Sequence, residues 1–454
     1  MDIKRRNLIK TGAALGIGVI LNPWGTSSMV PSASKRIVRV GFVGIGSRGT
    51  SLLKQLLKIG GVEIPAICDI NEQKILHIQN YLEQTGRKKP DVYYKSETDF
   101  KRLCERNDLD LVITATPWEW HTPVCVAAME TDKPVASEVP IAVTEEECWQ
   151  LVETSERTGR FCTMLENVSY WKNVMTISKM IHQGVFGEML HAQVGYQHDI
   201  RPGRFNSHGL KVYQETGENH WRIKHHEKYH GNLYPTHALG PVSQWMNINR
   251  GDNFSYLVSM ETPSRGLNIY AGREYGENHP SAKMRYTHGD VNTTMIKTRK
   301  GLTITLYHDV ATYRPYDLFL RAQGTEGIYE TDKGIYIEGL SPFHKEEKNN
   351  KVQWDDFEKV MYSERFKPKL WKEQEENAVG AGHNGGDYME LFRLIEAVRN
   401  ETEPDIDVYD AASWCVVTEL SGRSVSTGSQ PVAIPDFTKG AWKYRKADDS
   451  VFIM

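Results

Sequence analysis

Eight of the 16 histidines in this 454-residue chain lie between His191 and His237, and tyrosines stand beside several of them. Two pairings have spacings that chemistry could use. In YPTHALGP, Tyr234 and His237 are three apart, so one helical turn brings both to one face, with Ala-Leu-Gly-Pro behind them as a dry wall. In GYQHDIR, Tyr196 and His198 alternate, so a strand sets them on one face. A tyrosine and a histidine together supply a general acid and a general base; the alternative for each pair is simple packing. A third pattern, HEKYH from His226 to His230, has the HExxH spacing of a zinc site. That motif needs a long helix to turn both histidines to one metal. Here lysines bracket the run, Gly231 stops it, and Leu233 stands where the extended three-histidine form needs glycine. The run is expected to be a solvated, charged loop, and no metal is expected.

A second constellation points to a nucleotide. Gly44, Gly46 and Gly49 spell G-x-G-x-x-G between the apolar run VRVGFVG and a leucine-striped segment, and Asp69 ends the next apolar run 20 residues past Gly49. Glycines at these places let the backbone approach a pyrophosphate seated on a helix N-terminus. The carboxylate of Asp69 accepts from a ribose diol and repels a 2′-phosphate, so NAD is favoured over NADP. TPWEWH, Thr116 to His121, follows the apolar run LDLVITATP, and SEVP, Ser137 to Pro140, follows the next. Both fall at the carboxyl ends of strands, where open α/β sheets hold ligands. Trp118 and Trp120 then line a nicotinamide ribose or pack a domain interface.

The elements that must position these groups are legible as periodicity. From Arg36 to about Arg160, apolar runs alternate with helical stripes, which predicts a Rossmann-type doubly wound parallel sheet. Thr144 and Glu147 form a capping box ahead of one helix. Beyond 160, long alternating runs with glycine-rich turns predict an α+β domain over 161–454 with a large, mostly antiparallel sheet, its C-terminal helices returning to the first domain. The fold class is therefore α/β. Residues 1–35 read as a leader and linker: Arg5 and Arg6 precede the apolar stretch Thr11 to Leu21, the layout of a twin-arginine export signal, so a periplasmic or cell-surface location is expected. The apolar stretch is too short and glycine-rich for a membrane span. Net charge is −3 with well-mixed signs, which argues against a nucleic-acid partner. The six cysteines form no CxxC pair and read as small core residues.

The N-terminal half resembles the glucose-fructose oxidoreductase and inositol dehydrogenase (Gfo/Idh/MocA) superfamily. Its usual E-K-P motif is replaced here by Glu138-Val139-Pro140, so the lysine of simple alcohol oxidation is missing. TPWEWH, ENVSY, GYQHDIRP, YPTHALGP, RPYDL and GAGHNGGDY together resemble glycoside hydrolase family 109, whose founding activity is an NAD-dependent α-N-acetylgalactosaminidase. The resemblance runs from about Val38 to Trp442. It implies a glycan substrate with terminal N-acetylgalactosamine and an NAD that is held tightly and not consumed. Hydride leaves C3 of the sugar, the resulting ketone acidifies C2–H, the glycosidic oxygen is eliminated, water adds, and hydride returns. Such self-restoring chemistry suits an exported protein, because nothing outside need reoxidise the cofactor. It departs from paired-carboxylate hydrolysis. The resemblance implies a cofactor shell of Ser47, Arg48, Asp69, Trp118, Glu119, Trp120, His121, Glu138, Val139, Asn167 and Trp221, with the glycine loop. It implies sugar contacts from Tyr196, His198, Arg222, Tyr234, Pro235, Thr236, His237 and Tyr316. Tyr234 and His237 are expected to move protons near C2 and C3; Tyr196, His198 and Tyr316 serve the leaving-group side or positioning. Pairing of copies through exposed sheet faces is expected. The competing reading is a periplasmic sugar oxidoreductase with a tightly bound nicotinamide, and after it a non-catalytic sugar- or nucleotide-binding protein; net release of a sugar separates the first reading from both.

Overall fold

Val38–Val43 (β1) is buried along nearly its whole length, as a strand covered on both faces must be. In the computed structural model, which describes residues 36–205, 220–341, 353–361, 365–447 and 451–454, it is the centre of a six-stranded sheet. Its partners are Val62–Cys68 (β2), Asp91–Tyr93 (β3), Leu111–Thr114 (β4), Val135–Ser137 (β5) and Cys162–Met164 (β6). The order is β3-β2-β1-β4-β5-β6, every pair parallel. The chain changes direction of travel between β1 and β4, which opens a crevice at their carboxyl ends. The sheet runs past the boundary drawn at 160, since β6 pairs with β5.

Helices cover both faces. Ser47–Leu56 (α1) buries Leu52, Leu53 and Leu56; Glu72–Gln84 (α2) starts at an Asn71 cap; Phe100–Cys104 (α3) and Trp118–Glu130 (α4) follow β3 and β4. Glu145–Thr158 (α5) carries the capping box of Thr144 and Glu147 and ends on Gly159 in the left-handed region.

The second sheet has eight strands: Met189–Gln197 (β7), Phe254–Glu261 (β8), Val291–Thr298 (β9), Thr303–Asp309 (β10), Arg321–Gly324 (β11), Gly327–Glu330 (β12), Gly334–Ile337 (β13) and Val432–Ala433 (β14). Their order is β13-β12-β11-β7-β10-β9-β8-β14. Only β7 and β10 run parallel; the other pairs are antiparallel. Lys172–His182 (α6), Ile223–Lys228 (α7) and Thr236–Trp245 (α8) belong to this half, and α8 packs on β7. The helix Gly386–Asn400 returns to α1, and Val408–Cys415 returns to α5. One buried apolar cluster runs through both sheets. All six cysteines are buried and unpaired. No helix among the described residues is long and apolar enough to cross a membrane. The export signal expected in 1–35 lies outside the described residues.

Candidate active site

The glycine loop sets the first half of the site. Gly44 adopts φ +82°, and a Cβ there would fall 2.7 Å from the Ala115 carbonyl carbon. A Cβ on Gly49 would fall 2.0 Å from the Gly44 oxygen. Both places admit only glycine. The N-terminus of α1 then meets a cleft of about 800 Å³ lined by Ile45, Gly46, Ser47, Thr50, Asn71 and Lys74. Asp69 faces the loop, its carboxylate accepting the N–H of Ile45 at 2.9 Å and of Asn71 at 2.8 Å. A helix N-terminus, a glycine-rich loop and an adjacent carboxylate fit the pyrophosphate and ribose of NAD.

Arg48 does not stand in that cleft. Its Nε donates to Glu138 at 2.5 Å, its Nη1 and Nη2 to Asp387 at 2.8 and 3.0 Å, and Glu390 lies 3.8 Å away. Burial alone would lower the guanidinium pKa; Glu138 and Asp387 outweigh it and raise it. Asn167 donates to the same Asp387 at 2.8 Å. Arg48, Glu138 and Asn167 thus form one network that pins the loop to the helix Gly386–Asn400. Glu390 is fully buried with neither carboxylate oxygen hydrogen-bonded, and burial and the Asp387 charge push its pKa well up.

TPWEWH divides by burial. Trp118 reaches the sugar-side cluster described below. Trp120 packs edge-on against Phe100, centroids 6.0 Å apart, and Glu119 is 43% exposed and faces Lys224. His121 is buried, with its ring nitrogens 2.7 Å from the Thr116 and Pro140 carbonyls. It clamps the β4 and β5 turns together. Pro235 and Thr236 are likewise buried at the head of α8, where they start the helix rather than line the pocket.

The sugar side is an aromatic cluster. Tyr234 and His237 meet at 5.0 Å between centroids, Tyr196 lies 4.7 Å from Tyr234 and 5.5 Å from His237. Tyr316, 47% exposed, stands at the rim, edge-on to Tyr196 and His198. The Tyr234 hydroxyl lies 3.4 Å from the Val139 carbonyl, which joins this cluster to the end of β5. Trp118 stacks on Tyr234 at 5.6 Å and meets Trp221 edge-on at 5.1 Å. The Arg222 guanidinium lies over all three rings at 5.0 to 5.3 Å. Burial raises the pKa of Tyr196 and Tyr234, so both stay protonated near neutrality and act as donors.

Glu166, the first residue of ENVSY, was not singled out by spacing, yet it decides the chemistry of His237. Both its oxygens lie 2.8–2.9 Å from His237 Nδ1, and it is fully buried. A carboxylate there holds the proton on Nδ1 and leaves Nε2 as a base. Gly240 makes the approach possible: a Cβ at that position would fall 2.7 Å from Glu166 Cγ and 2.5 Å from Ser169 Oγ. ENVSY was itself a visible signal; nothing local says that its glutamate meets a histidine on α8.

The HEKYH run is not a solvated loop. His225 and His226 are buried on α7, which ends at Lys228. His226 meets Arg204 and His288, whereas His230 bonds Glu261, so the two outer histidines face different partners. Lys224 and Lys228 are exposed, but His225 and His226 between them turn inward. Among the described residues no group of three His, Cys, Asp or Glu side chains could hold a metal.

Two known families match the two halves of the chain. Residues 38–165 match the oxidoreductase family with an NAD-binding Rossmann fold, and residues 170–444 match the glycosyl hydrolase 109 C-terminal domain. A glycosyl hydrolase family 109 protein of Shewanella sp. (strain W3-18-1) is 40% identical over 98% of both chains. A protein of Shewanella oneidensis named alpha-N-acetylgalactosaminidase is also 40% identical over 98% of both. Among solved structures, levoglucosan dehydrogenase in complex with NADH and L-sorbose superposes with a TM-score of 0.65 at 15% identity, covering 88% of this chain and all of that one. Myo-inositol dehydrogenase of Lactobacillus casei gives 0.57 at 16% identity over 88% and 99% of the two chains; at such identities the likeness is one of fold. A glycine loop built for a dinucleotide, a carboxylate-held histidine among tyrosines, and full-length relatives together place this chain in glycosyl hydrolase family 109, as a glycosidase with an NAD-binding Rossmann domain.

Proposed function

We propose that this glycosidase releases terminal α-linked N-acetylgalactosamine with NAD held through the cycle and not consumed. The observation that carries the reading is the Glu166–His237 pair beside Tyr196 and Tyr234, at the carboxyl edge of the Rossmann sheet. Gly44, Gly46, Ser47, Gly49 and Asp69 would hold the dinucleotide. Bound NAD would supply a hydride acceptor for C3 of the sugar and give the hydride back. His237, with Nδ1 held by Glu166, removes the proton at C2 once C3 is a ketone. The C3 hydroxyl proton leaves with the hydride, by way of the tyrosine hydroxyls to water at the Tyr316 rim, and returns with it; Tyr196 and Tyr234 otherwise stay protonated and donate, one to the C3 ketone oxygen and one toward the departing glycosidic oxygen. Arg222 and Trp118 hold the sugar face. The hydrolase named for this activity in Shewanella oneidensis supports the substrate. Val139 in place of a lysine works against the sugar oxidoreductase reading. The twin-arginine layout supports export to the periplasm or cell surface, and the exposed outer face of the eight-stranded sheet, with Met260 and Met295, supports pairing with a second copy.

The test uses protein purified without added NAD and given 4-nitrophenyl α-N-acetylgalactosaminide in heavy water. Nitrophenol release, with one deuterium at C2 of the sugar by mass spectrometry, is the expected result. Absence of release with this and related glycosides would overturn the reading, and a fully active His237→Ala variant would remove His237 from it.

A further inference from the structure

Outside the Tyr234–His237 pair, the rim of the pocket carries aromatic groups that the chemistry above does not use. Tyr316 stands there, edge-on to His198 with centroids 5.2 Å apart. Three residues earlier on the same segment is Tyr313, 89% exposed, and among the described residues no other large apolar side chain is more exposed. A lone tyrosine in water is ordinary on a protein surface. This one has a constructed backing. Its ring lies 5.4 Å from the guanidinium of the buried Arg201, and the half-buried ring of Tyr270 lies 5.5 Å from the same group. Asp199 holds that guanidinium, accepting from Nε and Nη2 at 2.8 Å each. Asp199 follows His198 in the chain, so the one short segment GYQHDIR joins the pocket rim to the support of Tyr313.

The loop that presents Tyr313 is fixed as well. It leaves β10 at Asp309, whose carboxylate accepts the N–H groups of Ala311 at 3.4 Å and Thr312 at 3.1 Å and the Thr312 hydroxyl at 2.6 Å. Arg314 donates to Gln197 and lies 3.5 Å from both Asp309 and Asp317. Ala311 packs with Phe205, Ile223, Leu267, Ala271 and Tyr286 in an apolar cluster separate from the main core, and Tyr270 and Tyr275 pack against that cluster. A pinned loop thus holds a flat ring in water beside the pocket rim. Tyrosine offers a large amphipathic face with only two side-chain torsions to order, and the C–H face of a pyranose is its apolar complement. Fixing the ring beforehand lowers the ordering cost of binding. The charge of Arg201 is met by Asp199, and that of Arg314 by Asp309 and Asp317, so this shelf selects for shape and apolar contact over charge.

We propose that Tyr313, backed by Arg201, is the platform for the sugar on the far side of the scissile bond: a neutral hexopyranose that lies on the ring while the terminal N-acetylgalactosamine occupies the Tyr196–Tyr234–His237 pocket. This rests on the glycosidase reading above and narrows its leaving group to a saccharide. A serine or threonine aglycone has no flat C–H face to set on the ring; a pyranose covers it and takes its apolar surface out of water.

The test reads the outer sugar apart from the inner one. With the intact protein, and N-acetylgalactosamine saturating the inner pocket, saturation-transfer NMR is run on methyl β-galactoside. Transfer to its ring protons is expected in the wild type and in Tyr313→Phe, with a fall of about 3- to 10-fold in Tyr313→Ala, the scale of one aromatic contact. Equal transfer in all three proteins, or none in the wild type, would overturn the proposal. In turnover, kcat/KM is compared for N-acetylgalactosamine α-linked to galactose, to serine and to methyl. The galactose-linked form should lead the methyl form by about 3- to 10-fold, and Tyr313→Ala should remove that lead while Tyr313→Phe keeps it. A lead for the serine-linked form, or a galactose lead that survives in Tyr313→Ala, overturns the proposal. If methyl galactoside binds through Tyr313 and no glycoside is cleaved, the glycosidase reading fails and the saccharide platform stands.

Discussion

Glu166 and His237 are separated by 71 positions and act as one group. The histidine was legible in YPTHALGP; its partner was legible only as part of a motif with no assigned role. The prediction at this scale is that Glu166→Gln lowers kcat on the order of 10²-fold, because the amide no longer holds the Nδ1 proton by charge. NAD binding, read by fluorescence titration, should persist. Unchanged kcat would show that His237 needs no carboxylate. Arg48 carries a related lesson. The family resemblance sets it in the cofactor shell, yet its guanidinium answers to Asp387, 339 positions away.

At the scale of elements, α8 and the helix Gly386–Asn400 decide whether the site assembles. Gly240 lets α8 lie against the Glu166–Ser169 segment. Gly240→Ala forces a methyl against Ser169 Oγ at 2.5 Å, so a loss of about 1–3 kcal/mol of stability is expected, together with a fall in kcat as the pair separates. Thermal denaturation and turnover check both. Asp387 sits in the first turn of its helix and is the hub of the Arg48 network. Asp387→Asn breaks a buried ion pair and should cost about 3–5 kcal/mol, read by urea unfolding. Burial opposes its ionisation, but hydrogen bonds and charge from His383 and Arg48 prevail and depress its pKa. A depressed carboxylate stabilises fully above its unfolded value near 3.9 and loses that contribution as pH falls below it. The variant's stability gap to wild type should therefore close at low pH.

For the whole molecule, the buried histidines set the acid limit before the carboxylates do. His225 is pulled down to about 3 and His288 to about 4, both chiefly by burial. Each stays neutral in the fold but protonates in the unfolded chain near 6.5. Stability is thus whole above about 6.5 and falls as pH drops toward 4. A melting temperature flat from pH 7 down to 4.5 would contradict this. On the outer face of the eight-stranded sheet, Met260 and Met295 are 62% and 54% exposed. Met295→Asp should shift light-scattering mass from dimer to monomer without loss of secondary structure; a wild-type monomer would remove the pairing.

Periodicity and turn chemistry are local, so the chain alone determined the βα alternation, the glycine loop, the capping box of Thr144 and Glu147, and the switch to alternating strands after about 160. It also carried the family likeness, because short motifs keep their residue types wherever the fold places them. What only the tertiary structure decided is which distant groups share a low-dielectric space. Glu166 with His237 and Arg48 with Asp387 are facts of burial and approach, and no spacing along the chain encodes them. The HEKYH run shows the same divide: its charges look solvated in sequence, and only packing reveals that His225 and His226 are buried while the lysines beside them reach water.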